Sequence, residues 1–150
     1  MGAFLFGWNP IKWPWIELPH DIERLNKEGS ITEDWSIAAY KAAKPGDRAY
    51  FVRVAVEPKG IFASGTLASE PFIAFRKGRH YHRVNINIDT LLNPDTGRIL
   101  TFDILKTGNL AGQLWTPQAS GINIKPHLVD ELEGLWQDFL ENRHTADDIV

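Results

Sequence analysis

The sequence predicts an α+β fold: a small mixed β-barrel with one helix inserted early and a second at the C-terminal end. Three observations carry this prediction. About five strand-like runs recur between turn signals; a short helical segment with its own start and stop follows the first of them; and the last apolar stripe has helical spacing. A chain of 150 residues is the length of one domain, expected here over 1–142, with 143–150 as a polar exit or linker.

The elements follow in order. "AFLFGW" reads as a strand buried on both faces, broken by Asn9-Pro10, and "LPHDIERLNKEG" as a helix with Pro19 in its first turn and Gly29 as its stop. "SITEDWSIAAYKAAK" shows little strand periodicity before the Pro45-Gly46-Asp47 turn. "RAYFVRVAV" is apolar on both faces, as a central barrel strand is. "IFASGTLASEPF" reads as one strand bent at Gly65, and "RVNINID" alternates, with Val84, Ile86 and Ile88 inward. "ILTFDIL" is strand or irregular, and "GNLAGQLWTPQASGINI" is a long polar segment leading to a short strand. From Pro126, Leu128, Val129, Leu132, Leu135, Trp136, Phe139 and Leu140 make the apolar face of a helix.

Composition excludes more than it selects. Forty-three per cent apolar and 23% charged residues describe a globular chain. No cysteine is present, so disulfides, thiolate metal sites and cysteine nucleophiles are excluded, and a reducing cytoplasmic setting is expected. The opening residues lack the basic and apolar regions of a signal peptide, and no run reaches the ~20 apolar residues of a membrane span. No P-loop, GxGxxG, HExxH or GxSxG motif occurs, so binding without catalysis and without a cofactor is expected. The net charge is −3, yet residues 111–150 hold 7 of the 19 acidic and only 2 of the 16 basic side chains. A local basic face is therefore compatible with the overall charge.

That face is "RKGRHYHR". Arg76, Lys77, Arg79 and Arg83 form either a solvated hairpin or a phosphate-contacting loop with Tyr81 interleaved for stacking. His80 and His82 share one face of a strand, as two metal ligands do, but cationic neighbours and the lack of a third ligand favour no metal. Six tryptophans in 150 residues is the unusual count. Trp136 belongs to the last helix's stripe. Trp8, Trp13 and Trp15 read as core under the first helix or as a pocket wall. Trp35, in "TEDWS", and Trp115, ahead of Gln118 and Ser120 in "WTPQASG", lack apolar periodicity and have the character of a pocket for a planar ligand.

The combination resembles a known family. Trp35, Ser36 and Tyr40 in "WSIAAY", then "KPGDRAYFV" and "EPKGIFASGTLASEPF", are similar in order and spacing to the EVE domain, of the PUA-like superfamily of small barrels. The likeness runs from about Phe4 to Leu140. More narrowly, "WNPIKWPW" and "WTPQASG" resemble EVE domains fused to HNH nucleases in modification-dependent restriction endonucleases. The resemblance implies a non-catalytic sensor of double-stranded DNA that accepts a flipped 5-methylcytosine or 5-hydroxymethylcytosine in an aromatic pocket, with any nuclease domain outside this chain. It implies that Trp35 and Ser36 match the cage tryptophan and its small neighbour in related YTH-type readers. Trp8 and Asn9 match the strand end lining the same pocket, and Tyr81 a second cage aromatic. The superfamily also includes readers of modified RNA or tRNA, and a barrel binding a free nucleobase is the reading from another class.

Overall fold

The structure, a computed structural model, describes residues 2–149, with side chains through residue 143. One eight-stranded sheet curls into a half-barrel. It comprises β1 (Ala3–Trp8), β2 (Ile31–Ser36), β3 (Arg48–Arg53), β4 (Gly60–Leu67), β5 (Phe72–Arg76), β6 (Arg79–Leu91), β7 (Leu100–Thr101) and β8 (Ile122–Asn123). Strand order is β2-β6-β4-β3-β1-β8, with β5 paired to β6 and β7 to β4. Among the described residues only β1 and β3 pair in parallel. The helices are α1 (Leu18–Glu28), α2 (Phe102–Leu105) and α3 (Val129–Ile149). The expected polar exit at 143–150 therefore coincides with the end of α3, and Val150 lies outside the described residues.

Double-sided burial of the central strands explains their unbroken apolar runs. Phe4, Phe6, Trp8, Ala49 and Phe51 point into the concave side and meet Leu18 and Leu25 of α1. The alternate residues Ala3, Leu5, Tyr50 and Val52 point out and meet Leu128, Leu132, Trp136 and Phe139 at the start of and along α3. One sheet thus serves two cores, each fully burying large side chains worth about 1.5–3 kcal/mol apiece.

Local signals hold where the backbone needs them. Gly29 ends α1 in the left-handed region, its N–H donating to the Leu25 carbonyl at 2.7 Å. At Gly65 the β4–β6 register shifts, and a Cβ there would lie 2.4 Å from the Asn87 carbonyl oxygen, so the predicted bend requires glycine.

Three expectations need correcting. "SITEDWS" is a strand, β2: it sits at the sheet edge with residues 33–36 all half-buried, so neither face is fully apolar and alternation is lost. "IFASGTLASEPF" is two strands, β4 and β5, separated at Ala68–Pro71, where the Ala68 N–H leaves β4 to reach the Asn85 carbonyl. "ILTFDIL" divides into β7 and the single-turn helix α2.

The barrel closes by loop contacts rather than by a continuous ladder. Beyond β2, the N–H groups of Ala38 and Ala39 donate to the carbonyls of Ser120 and Gly121, and Gly121 N–H donates to Leu5 of β1. A seam between the β2 edge and the end of β1 remains open above these contacts, and a cavity lies there.

Candidate nucleobase-binding site

The cavity has a volume of about 730 Å³ and is walled by the exit of β1, the β1–α1 loop, β2, the β5–β6 hairpin and Ser120. Its aromatic wall arises from the crowded "WNPIKWPW" stretch. Trp8 is the floor, 6% exposed, its indole N–H donating to the Trp13 carbonyl at 2.7 Å and Arg53 lying 5.7 Å from its ring. The first-helix loop then turns back on itself, bringing Trp15 edge-on to Trp8 at 5.8 Å and to within 6.0 Å of Trp35. Trp35 is half-buried, backed by Phe51 at 4.9 Å and Phe6 at 6.5 Å, both edge to face. Trp13 stands on the rim, 67% exposed. Inclined rings supported from behind form a concave apolar box rather than a closed core.

The indole N–H groups distinguish their roles. Trp8 and Trp115 donate to carbonyls and Trp15 donates to Asp21 Oδ2 at 2.8 Å; the indoles of Trp13, Trp35 and Trp136 have no hydrogen-bond partner among the described residues, Trp136 within the outer core and the other two at the cavity. Trp35 is thus a half-buried cavity-lining ring whose indole N–H is not committed to another residue.

Carboxylates line the rest of the wall. Asp21, 8% exposed, is held by Trp15 and by Arg24, which also reaches Glu33 at 3.2 Å. Burial, reinforced by the Asp21 and Asp34 charges, pushes the Glu33 carboxyl up against the pull of Arg24. Asp34 behaves oppositely. Burial alone would raise it, but the hydrogen bond and charge of Arg83, with Arg76 beside it, hold it below the usual carboxylate range. Arg83 donates from Nε to Asp34 Oδ2, from Nη2 to the Asp34 carbonyl at 2.8 Å and from Nη1 to Ser36 Oγ at 3.0 Å. Arg76 Nη2 meets the same Oδ2 at 3.1 Å.

The structure brings Trp8, Trp35, Ser36, Tyr81 and Ser120 to this one cavity. It does not bring the other three expected pocket residues there. Trp115 is a correction: it is 2% exposed in the outer core, its N–H donating to the Leu110 carbonyl at 2.9 Å, because the irregular segment it belongs to folds inward against α3. Asn9 caps its own turn, Oδ1 accepting from the N–H groups of Ile11 and Lys12, and Gln118 is exposed away from the cavity. Trp13 and Trp15, which the sequence left between core and pocket wall, line the cavity, and Asp21, Glu33 and Asp34 are among the lining residues it missed. The signal for the last two was present in the acids of "TEDWS", directly before Trp35.

The basic segment forms a hairpin. Lys77 and Gly78, both at positive φ, make a two-residue turn between β5 and β6. Arg83 is a second correction, since it lies within β6 and is spent on Asp34 and Ser36 rather than projecting to solvent. Lys77 and Arg79 are exposed at the tip, and Arg76 is exposed while pairing with Asp34. On the opposite face of the hairpin His82 stacks on Tyr40 at 3.5 Å and His80 meets Phe75 edge-on. Among the described residues no group of three or more His, Cys, Asp or Glu is arranged to hold a metal, and no helix is long and apolar enough to cross a membrane.

No family model matches the sequence, and no curated protein matches it either. Solved structures do. A hypothetical protein from Leishmania major superposes with a TM-score of 0.65 at 13% identity, over 92% of this chain and 96% of that one. The human THYN1 protein, solved in complex with DNA containing 5-methylcytosine, has a TM-score of 0.59 at 14% identity, over 90% and 97%. Rpa0253 from Rhodopseudomonas palustris gives 0.57 at 19% identity, over 90% and 94%. Identities this low speak to the fold alone: the chain shares the curled mixed α+β fold of these proteins, the fold expected of an EVE domain.

Proposed function

We propose that this domain binds double-stranded DNA containing a modified cytosine, 5-methylcytosine or 5-hydroxymethylcytosine, by receiving the flipped base in the tryptophan-walled cavity. The observation that carries the reading is Trp35, a ring backed by Phe6 and Phe51 whose indole N–H is left unpaired at an open cavity. Base–aromatic stacking contributes ~1–3 kcal/mol per base, enough to offset the few kcal/mol needed to unstack one. The cavity lies beside a hairpin whose tip exposes Lys77 and Arg79, and flipped-base recognition on a polymer needs phosphate contacts there, whereas a free nucleobase does not. The likeness of fold to THYN1 in its complex with 5-methylcytosine DNA favours DNA over RNA. In this role the domain serves as the specificity element of a modification-dependent nuclease, the cutting being supplied by a domain outside these 150 residues.

The test is an anisotropy titration of the protein against matched duplexes carrying 5-methylcytosine, 5-hydroxymethylcytosine or plain cytosine, with an RNA of the same sequence. Tighter binding of a modified duplex than of the plain one and of RNA is expected. Equal affinity for all duplexes would remove the reader function, and preference for the RNA would reassign it.

A further inference from the structure

The hydrogen-bonding capacity of the cavity wall is unevenly used. Ser36 Oγ accepts from Arg83, and Ser120 Oγ accepts from the Gly7 N–H at 3.1 Å. Asp21 is occupied by Trp15 and Arg24. Asp34 differs in that its two carboxylate oxygens have separate fates. Oδ2 accepts from both Arg83 and Arg76, while Oδ1 accepts from no other residue among those described, the carboxylate's remaining contact being with the Asp34 main chain. Arg83 is itself fixed by Ser36 and by the Asp34 main chain. The carboxylate is thus clamped through one oxygen and left with an acceptor to spare through the other, at the cavity wall next to Trp35.

We infer that Asp34 accepts a hydrogen bond from the exocyclic amine of the inserted base, and that this contact makes the site select cytosine over thymine. The inference rests on the base-reading function above and adds the residue that identifies the base. An ionised carboxylate only accepts hydrogen bonds. Cytosine presents an N4 amine, a donor, where thymine presents O4, an acceptor. Thymine in this site places O4 against a fixed negative oxygen with no proton between them, so the same group attracts one base and repels the other. The 5-methyl group cannot make this distinction, because 5-methylcytosine and thymine both carry it. Aromatic stacking cannot either, since every base has a ring face. Two arginines sharing Oδ2 keep Asp34 an acceptor and prevent it from turning away.

The experiment uses the full chain and duplexes with one target position, placed opposite an abasic site so that no base pair has to be broken. The target is 5-methylcytosine, thymine or 5-methyl-2-pyrimidinone, the last having hydrogen in place of the amine; a fourth duplex is abasic in both strands. Unmutated protein should bind 5-methylcytosine roughly ten- to hundredfold more tightly than thymine, the range set by a good base-edge contact. It should bind the pyrimidinone about tenfold less tightly than 5-methylcytosine, since the donor is gone without added bulk. Asp34→Asn keeps the side chain's shape and adds a donor. It should bring 5-methylcytosine and thymine to within about threefold of each other, each affinity being taken relative to the doubly abasic duplex, with thermal unfolding measured on the same preparation. The pyrimidinone measurement needs no mutant and decides the matter should Asp34→Asn not fold. If the protein prefers base-bearing duplexes but treats the three bases alike, or Asp34→Asn still discriminates, this inference fails while base reading stands. If no base-bearing duplex binds better than the doubly abasic one, base reading fails and the inference with it.

Discussion

Two tryptophans with equally uninformative sequence surroundings have different parts in the molecule, and the difference lies in their indole nitrogens. Trp115 donates to Leu110 inside a sealed core, while Trp35 keeps its donor free at an open wall. Trp115→Ala should therefore cost ~3–5 kcal/mol of stability and leave the Leu110 carbonyl unpaired, with any loss of binding explained by unfolding. Trp35→Ala removes a half-buried ring. It should destabilise less, yet weaken modified duplex roughly ten- to hundredfold while sparing non-specific binding. Chemical denaturation and duplex titration on both variants distinguish them. A Trp35→Ala protein that stays folded and binds modified DNA like the parent would falsify the stacking role.

At the scale of elements, the β5–β6 hairpin and α3 use charge for opposite ends. The hairpin tip exposes Lys77 and Arg79 beyond the paired Arg76 and Arg83. Replacing both tip residues with Gln should lower the slope of log affinity against log salt by about 2, and weaken modified and plain DNA alike, because phosphates carry no base identity. An unchanged slope would return the tip to solvent. On α3, Glu133 accepts from Tyr50 Oη and from Arg48 Nε at 2.8 Å, joining the helix to the barrel wall. Burial would raise its carboxyl, but Arg48, Tyr50 and Gln137 outweigh it and hold the group below its ordinary value. A depressed carboxyl stabilises the fold above its unfolded-state value, and that stability disappears as pH falls through the folded one. Glu133→Gln should hence cost about 1 kcal/mol at neutral pH, modest because a third of the side chain is exposed and screened. The deficit should vanish in acid, below the ordinary carboxylate range. A pH-independent deficit in urea unfolding would mean that packing, not the ion pair, holds α3.

For the whole molecule, the site exists because a sheet curls until its two ends nearly meet. Gly121 is where they meet. Its φ is +80°, and a Cβ there would lie 2.6 Å from Ile37 Cα, a backbone atom that cannot swing aside. Gly121→Ala should force β2 and the segment before β8 apart, lowering the melting temperature and widening the cavity at Ser36 and Ser120. Loss of both thermal stability and base selectivity is the expected pair of effects. A variant with the parent's melting temperature would show that the seam tolerates displacement.

The sequence by itself determined the α+β class, both long helices, the double-sided central strands and the bend at Gly65. Each depends on a local rule: a period, a cap, or a backbone without room for Cβ. It also marked Trp8, Trp35, Ser36, Tyr81 and Ser120, residues that prove to share one cavity. Tertiary structure alone decided which tryptophans are lining and which are core, since Trp35 and Trp115 differ only in what folds over them. It alone decided that β2 is a strand, because a half-buried edge has no periodicity to read. It took Arg83 out of the basic segment by placing Asp34, 49 positions earlier, against its guanidinium. Pairing across such separations depends on register and closure, which no window of neighbouring residues contains.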